Sequence, residues 1–176
     1  HQYDPFDAAH GGPVIWNHLT TKDFVTYENR GPVLFPDSDL DSSGAYSGSA
    51  FVHDGKIHYF YTGNVKHFDR DDYDYVLTGR EQNQIHVVAE NPDELGEKRI
   101  AVGPVDYPDD IGTHVRDPKI LEHDGIYYMV LGARTKDDRG CVLVYTSSDL
   151  EDWSYATRIE LGEKFGFMWE CPDLFE

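Results

Sequence analysis

The stretch Ala50-Phe51-Val52-His53-Asp54-Gly55-Lys56-Ile57-His58-Tyr59-Phe60-Tyr61 decides the fold. It returns later in the chain as Ile120-Leu121-Glu122-His123-Asp124-Gly125-Ile126-Tyr127-Tyr128-Met129-Val130. In each copy Asp-Gly joins two apolar runs, the pattern of a tight hairpin whose turn requires positive φ. A second piece also recurs. Thr20-Thr21-Lys22-Asp23-Phe24 with Tyr27 is matched by Ser147-Ser148-Asp149-Leu150 with Trp153, a polar turn between two outer strands closed by an aromatic.

Working outward, short runs rich in Val, Ile, Tyr, Phe and Thr predict strands over 49–52, 56–62, 84–89, 119–121, 126–133 and 141–147. No segment holds a 3.6-residue apolar period, and Asn91-Pro92-Asp93-Glu94-Leu95 is at most a single helical turn. The recurring order is inner strand, Asp-Gly hairpin, two further strands, a Ser/Thr-Asp turn and a fourth strand. A β-sandwich does not predict that order, whereas a propeller blade does.

The expected fold is therefore all-β, a partial β-propeller of about three blades. Outer strands of a first blade fall in 1–36, a second blade in 47–102 and a third in 117–161, with the start of a fourth in 169–176. Both ends resemble strand interiors, so the chain is expected to be a piece of a larger propeller. Uncovered faces and edges predict oligomerisation.

Fifteen basic residues stand against 33 acidic ones, a formal net charge of −18. Nucleic acid and anionic membrane surfaces would be repelled at long range, so neither is an expected partner. No apolar run is long enough to span a membrane. Two cysteines, Cys141 and Cys171, are too few for a disulfide framework. Metal-ligand spacings of the His-x-x-x-His or Cys-x-x-Cys kind are absent, as is a Gly-rich phosphate loop.

In a propeller the starts of the innermost strands converge on one funnel. Three such starts are legible: Tyr46-Ser47-Gly48-Ser49-Ala50, His114-Val115-Arg116-Asp117-Pro118-Lys119 and Met168-Trp169-Glu170-Cys171-Pro172-Asp173. Two carry a carboxylate and the third offers small hydroxyl residues, a set suited to a polyhydroxylated ligand. Glycoside hydrolysis needs a general acid at the leaving oxygen and a carboxylate facing the oxocarbenium-like carbon. Glu170, between Trp169 and Cys171, is expected in apolar surroundings that favour its protonated form, which makes it the candidate acid. Asp117 is expected to stay ionised beside Arg116, if the two side chains meet. Asp69-Arg70-Asp71-Asp72 is expected to be a solvated loop.

Taken in order, these motifs resemble glycoside hydrolase family 32, the invertases, sucrose-6-phosphate hydrolases, inulinases and levanases. Gln2-Tyr3-Asp4-Pro5-Phe6 looks like the family's Tyr-Gln-x-Asn-Pro segment with Asp4 for Asn, and Trp16-Asn17-His18 its Trp-Gly-His with Asn17 for Gly. Tyr46-Ser47-Gly48-Ser49-Ala50, Arg116-Asp117-Pro118 and Trp169-Glu170-Cys171-Pro172-Asp173 match its remaining motifs. The resemblance covers essentially the whole chain. It implies a five-bladed propeller and hydrolysis of terminal β-D-fructofuranosides, such as sucrose or sucrose 6-phosphate, with retention. Glu170 would be the acid/base and Asp117 the transition-state stabiliser. Gln2, Trp16, Asn17, Tyr46, Ser47 and Arg116 would bind substrate. The family's nucleophile belongs to a Trp-x-Asn-Asp-Pro-Asn-Gly motif that these 176 residues do not contain, so no Asp here takes that role. Neither metal nor organic cofactor is implied. His114 before Arg-Asp-Pro, with the acidic loops, is most similar to bacterial sucrose or sucrose-6-phosphate hydrolases, for which a cytoplasmic location is expected. Two other readings remain: a non-catalytic sugar-binding propeller, and a related propeller glycosidase acting on arabinosides or xylosides.

Overall fold

A computed structural model describes residues 1–5 and 13–175. Phe6 of the first resemblance segment, the stretch 7–12 of the expected first blade, and Glu176 lie outside the described residues. The strands form three antiparallel sheets side by side. β1 (Gln2–Tyr3), β2 (Ile15–Thr21) and β3 (Tyr27–Leu34) make the first. The second contains β4 (Ala45–His53), β5 (Lys56–Lys66), β6 (Arg80–Asn91), β7 (Glu94–Leu95) and β8 (Arg99–Val102), the last two both pairing with β6. β9 (Ile111–His123), β10 (Ile126–Thr135), β11 (Gly140–Ser147) and β12 (Ser154–Ile159) follow in sequence order as the third. This is propeller architecture. The segment 91–95, at most a helical turn by its sequence, is the tight connection from β6 to β7, where the Asn91 side chain accepts the Asp93 N–H and donates to Glu94.

Both Asp-Gly pairs form hairpin turns with positive φ at each position, 49° and 76° at Asp54-Gly55 and 51° and 74° at Asp124-Gly125. The second recurring piece also folds alike in both copies. Thr21 Oγ1 accepts the Phe24 N–H while Asp23 Oδ1 caps Val25 and Thr26; Ser147 Oγ accepts the Leu150 N–H while Asp149 Oδ1 caps Glu151 and Asp152. These amide hydrogen bonds hold the Asp149 carboxyl below its ordinary pKa.

The middle sheet serves two cores because β-strand side chains alternate. Phe60 packs with Met129, Leu131, Leu143 and Tyr145 of the third sheet, whereas its neighbour Tyr61 packs with Leu34 of the first. Within the larger core, His86 stacks on Phe60 with centroids 4.2 Å apart. Its Nδ1 accepts from Arg99 and its Nε2 lies 2.8 Å from His58 Nδ1. Burial, helped by the Arg99 charge, pushes His86 down to about 3.

A histidine held neutral in the fold takes a proton in the unfolded chain below about pH 6.5. Stability is therefore undiminished above that pH and falls as the pH drops toward the folded value of His86. The urea midpoint is expected to be lower at pH 5 than at pH 7.5, a range in which Asp149 does not titrate. Equal midpoints would contradict this burial.

Candidate active site

Ser47 and Asp117 lie at matching irregularities of adjacent inner strands. On β4 the register steps from Ala45↔Gly63 to Gly48↔Tyr61, so Tyr46 and Ser47 together oppose Thr62. On β9 it steps from Arg116↔Gly132 to Lys119↔Val130, so Asp117 and Pro118 oppose Leu131. Each is a β-bulge, the device that re-aims side chains beside functional sites. Asp117 thus sits inside a strand rather than at its start, since β9 begins at Ile111, whereas Ser47 follows closely on the start of β4 at Ala45 and Glu170 lies outside any strand. The two strands are tied where Ser49 Oγ donates to the Pro118 carbonyl at 2.8 Å.

At the β9 bulge Asp117 has φ +65°, a left-handed conformation that costs a non-glycine residue free energy. Two hydrogen bonds hold it there. The Asp117 N–H donates to Thr62 Oγ1 at 2.9 Å, and its Oδ2 accepts the Cys171 N–H at 2.8 Å. Thr62 in turn donates to Gln84 Oε1. The second bond fixes the segment carrying Glu170. That segment also lies against glycines of β10 and β11: a Cβ on Gly132 would stand 2.1 Å from the Trp169 carbonyl, and one on Gly140 2.3 Å from the Trp169 ring.

The electrostatics reverse the expectation from sequence. Arg116 pairs with Glu170, Nε at 2.9 Å and Nη2 at 2.5 Å from Oε1, and the Glu170 side chain is 58% exposed rather than enclosed by apolar neighbours. Trp169 turns away to pack on Gly140 and donates to the Phe165 carbonyl. Asp117 is the desolvated carboxylate, with 7% exposure, and burial raises its pKa against the opposing effects of the Cys171 N–H and the Arg116 charge. Arg116 is positioned from behind, its Nη1 donating to Gln82 Oε1 at 3.2 Å and to His114 Nδ1 at 3.1 Å. His114 donates from Nε2 to the Tyr75 carbonyl, and burial holds it down to about 4.

Gln2, Tyr46, Ser47, Arg116, Asp117 and Glu170, drawn from all three sheets and the segment after β12, line one open cleft of about 540 Å³. That volume suits a small ligand. Trp16 and Asn17 are not among its lining residues. The Trp16 ring packs edge-on against Tyr59 and Tyr61, and its indole N–H donates to the Tyr46 carbonyl, so it supports the cleft from beneath. Asn17, on the other face of β2, donates to Asn29 Oδ1. Sequence reasoning missed Ser43, Lys66, Tyr75 and Arg80 in the lining. Lys66 and Arg80 close the β5–β6 hairpin at its polar end, where no apolar alternation marks a strand, and Tyr75 follows the exposed loop 69–72.

Replacing Thr62 with valine leaves the Asp117 N–H and Gln84 Oε1 without their buried partner. Thr62→Val is expected to cost about 1–3 kcal/mol by chemical denaturation. A loss near zero would mean that Thr62 does not hold the bulge.

The family model for the glycosyl hydrolases family 32 N-terminal domain matches residues 1–176. A sucrose-6-phosphate hydrolase of Bacillus subtilis (strain 168) is 35% identical, the match covering 99% of this chain and 35% of that protein. Among solved structures, sucrose-6-phosphate hydrolase from Lactobacillus gasseri superposes with a TM-score of 0.85 at 36% identity, covering 99% of this chain and 34% of that one. A mutant β-fructofuranosidase of Bombyx mori in complex with sucrose gives 0.79 at 30% identity, with 99% and 35% coverage. The chain thus spans about a third of the length of these relatives.

Proposed function

The chain belongs to glycosyl hydrolase family 32, and from that premise we propose that it serves an enzyme hydrolysing terminal β-D-fructofuranosides such as sucrose or sucrose 6-phosphate. The observation that carries this is the convergence of Gln2, Ser47, Asp117 and Glu170 on one cleft although they lie far apart in sequence. In the proposed reaction Glu170 gives a proton to the leaving oxygen and later takes one from water. Its exposure at the cleft wall leaves it accessible to the glycosidic oxygen, and Arg116 orients it.

Asp117 binds fructose hydroxyls as charge develops at the anomeric carbon. A carboxylate already desolvated and held by the Cys171 N–H needs little reorganisation to do so. Gln2, Tyr46 and Ser47 complete the sugar-facing wall. Retention through a covalent fructosyl intermediate is part of the proposal, with the nucleophile assigned to no residue of these 176. The cytoplasm is the proposed compartment, in keeping with two free thiols at Cys141 and Cys171.

In the protein expressed at its full encoded length, Glu170→Gln is expected to lower kcat on sucrose by about 10²–10⁴, the usual contribution of general acid–base catalysis. The loss should be much smaller on fructosyl fluoride, whose leaving group needs little protonation. Undiminished sucrose turnover would refute the role of Glu170. Fructoside binding without turnover by the unmodified protein, or turnover of pentosides instead, would refute the proposed activity.

A further inference from the structure

Two glutamines of β6, Gln82 and Gln84, grip one residue of β9 from the neighbouring sheet. Gln82 Oε1 accepts the Val115 N–H at 2.9 Å, and Gln84 Nε2 donates to the Val115 carbonyl at 2.8 Å. Alternate residues of a strand face the same way, and both side chains are buried, with the residues 1% and 0% exposed. Neither is among the residues lining the cleft. Both are held in place by Tyr107, whose hydroxyl donates to the Gln82 backbone carbonyl at 2.6 Å and accepts from Gln84 Nε2 at 3.0 Å.

Each glutamine directs its remaining hydrogen bond toward a different carboxylate of the site. Gln82 Oε1 takes a second donor, Arg116 Nη1, while Nε and Nη2 of the same guanidinium hold Glu170 Oε1. Gln84 Oε1 accepts from Thr62 Oγ1, which in turn accepts the Asp117 N–H at the bulge. The two routes share Val115 and Tyr107 and then part. Joining the sheets requires the Val115 contacts alone, whereas the further bonds run to the reacting groups. A neutral amide suits this place. A hydrocarbon would leave the Val115 N–H unpaired, and a carboxylate at Gln82 would compete with Glu170 for the guanidinium.

We propose that Gln82 and Gln84 are the positioning residues of the two carboxylates, Gln82 acting through Arg116 on Glu170 and Gln84 through Thr62 on Asp117. The roles of the carboxylates themselves come from the fructosidase proposal, on which this one rests. The two routes separate kinetically. Glu170 matters for forming the fructosyl intermediate only when the leaving group needs a proton, whereas Asp117 binds the fructose that every substrate shares.

The test measures kcat/KM on sucrose and on fructosyl fluoride in the full-length protein and its Gln82→Met, Gln82→Glu and Gln84→Met variants. Each value is normalised to the fraction folded by circular dichroism, which removes losses due to unfolding alone. Gln82→Met is expected to lower the sucrose value about tenfold, as for one hydrogen bond to a charged group, and the fluoride value by no more than about twofold. Gln82→Glu keeps the acceptor oxygen but draws the Arg116 charge, so the sucrose-to-fluoride ratio falls here too. It serves if the methionine variant does not fold, because Asn64, whose Nδ2 has no hydrogen-bond partner, can turn its amide toward the new oxygen. Gln84→Met is expected to lower both substrates equally; Thr62→Val cuts the same route one link on and replaces it if it does not fold. Equal losses in the Gln82 variants, a Gln84 loss confined to sucrose, or unchanged values overturn the positioning roles while fructoside hydrolysis stands. If the unmodified protein turns over neither substrate, the fructosidase proposal falls and the crystal structure of a Gln82 variant decides: Arg116 displaced from Glu170 supports positioning, and an undisturbed pair overturns it.

Discussion

A single strained residue holds the site together. Asp117 occupies a left-handed backbone conformation within β9, and that conformation persists because its N–H is taken by Thr62 and its carboxylate by the Cys171 N–H. Remove the bulge and the strand would alternate normally, sending Asp117 and every residue after it to the opposite face. With the bulge in place, one residue, through its N–H and its carboxylate, joins the middle sheet, the third sheet and the segment carrying Glu170. The positions of both carboxylates are therefore one structural fact.

The surroundings of that residue are polar yet buried, and their hydrogen bonds form a connected set. Gln84 accepts from Thr62 and donates to the Val115 carbonyl, while Gln82 accepts from both Val115 N–H and Arg116. His114 completes the support of Arg116, which reaches Glu170. Each link satisfies a group that would otherwise cost about 1–3 kcal/mol to bury. Such a network fixes side chains more rigidly than apolar packing does, and it surrounds a cleft where charge must be received without rearrangement. On β5 and β6, the Asn64 Nδ2 and Arg80 Nε donors are buried without a hydrogen-bond partner, and Arg80 lies in the cleft wall.

Much of this was legible in the residues. The Asp-Gly hairpins and the Thr21/Asp23 and Ser147/Asp149 turns are local chemistry, so their repetition revealed the sheet order directly. Ser47, Asp117 and Glu170 were legible as motifs. What escaped detection depends on contacts distant in sequence. The joined ends of β5 and β6 carry Asn64, Arg80 and Gln82, buried polar residues that read as loop in a hydropathy pattern and lie beyond the strands predicted over 56–62 and 84–89. Arg116 adjoins Asp117 in sequence but reaches Glu170 in space, and that choice reversed the anticipated charge environment of the two carboxylates. Trp16 and Asn17 carry motif identity, yet their side chains are spent on Tyr46 and Asn29.

The central claim is that the bulge at Asp117 and the tether at Cys171 shape one fructose-binding cleft. The most direct measurement is a crystal structure of the full-length protein with fructose bound. The account predicts a furanose between Ser47 and Glu170, its hydroxyls within hydrogen-bond distance of Asp117, with the Cys171 N–H still on the Asp117 carboxylate. Fructose seated elsewhere with this cleft empty, or an Asp117 that has left Cys171 to bind it, would contradict the account.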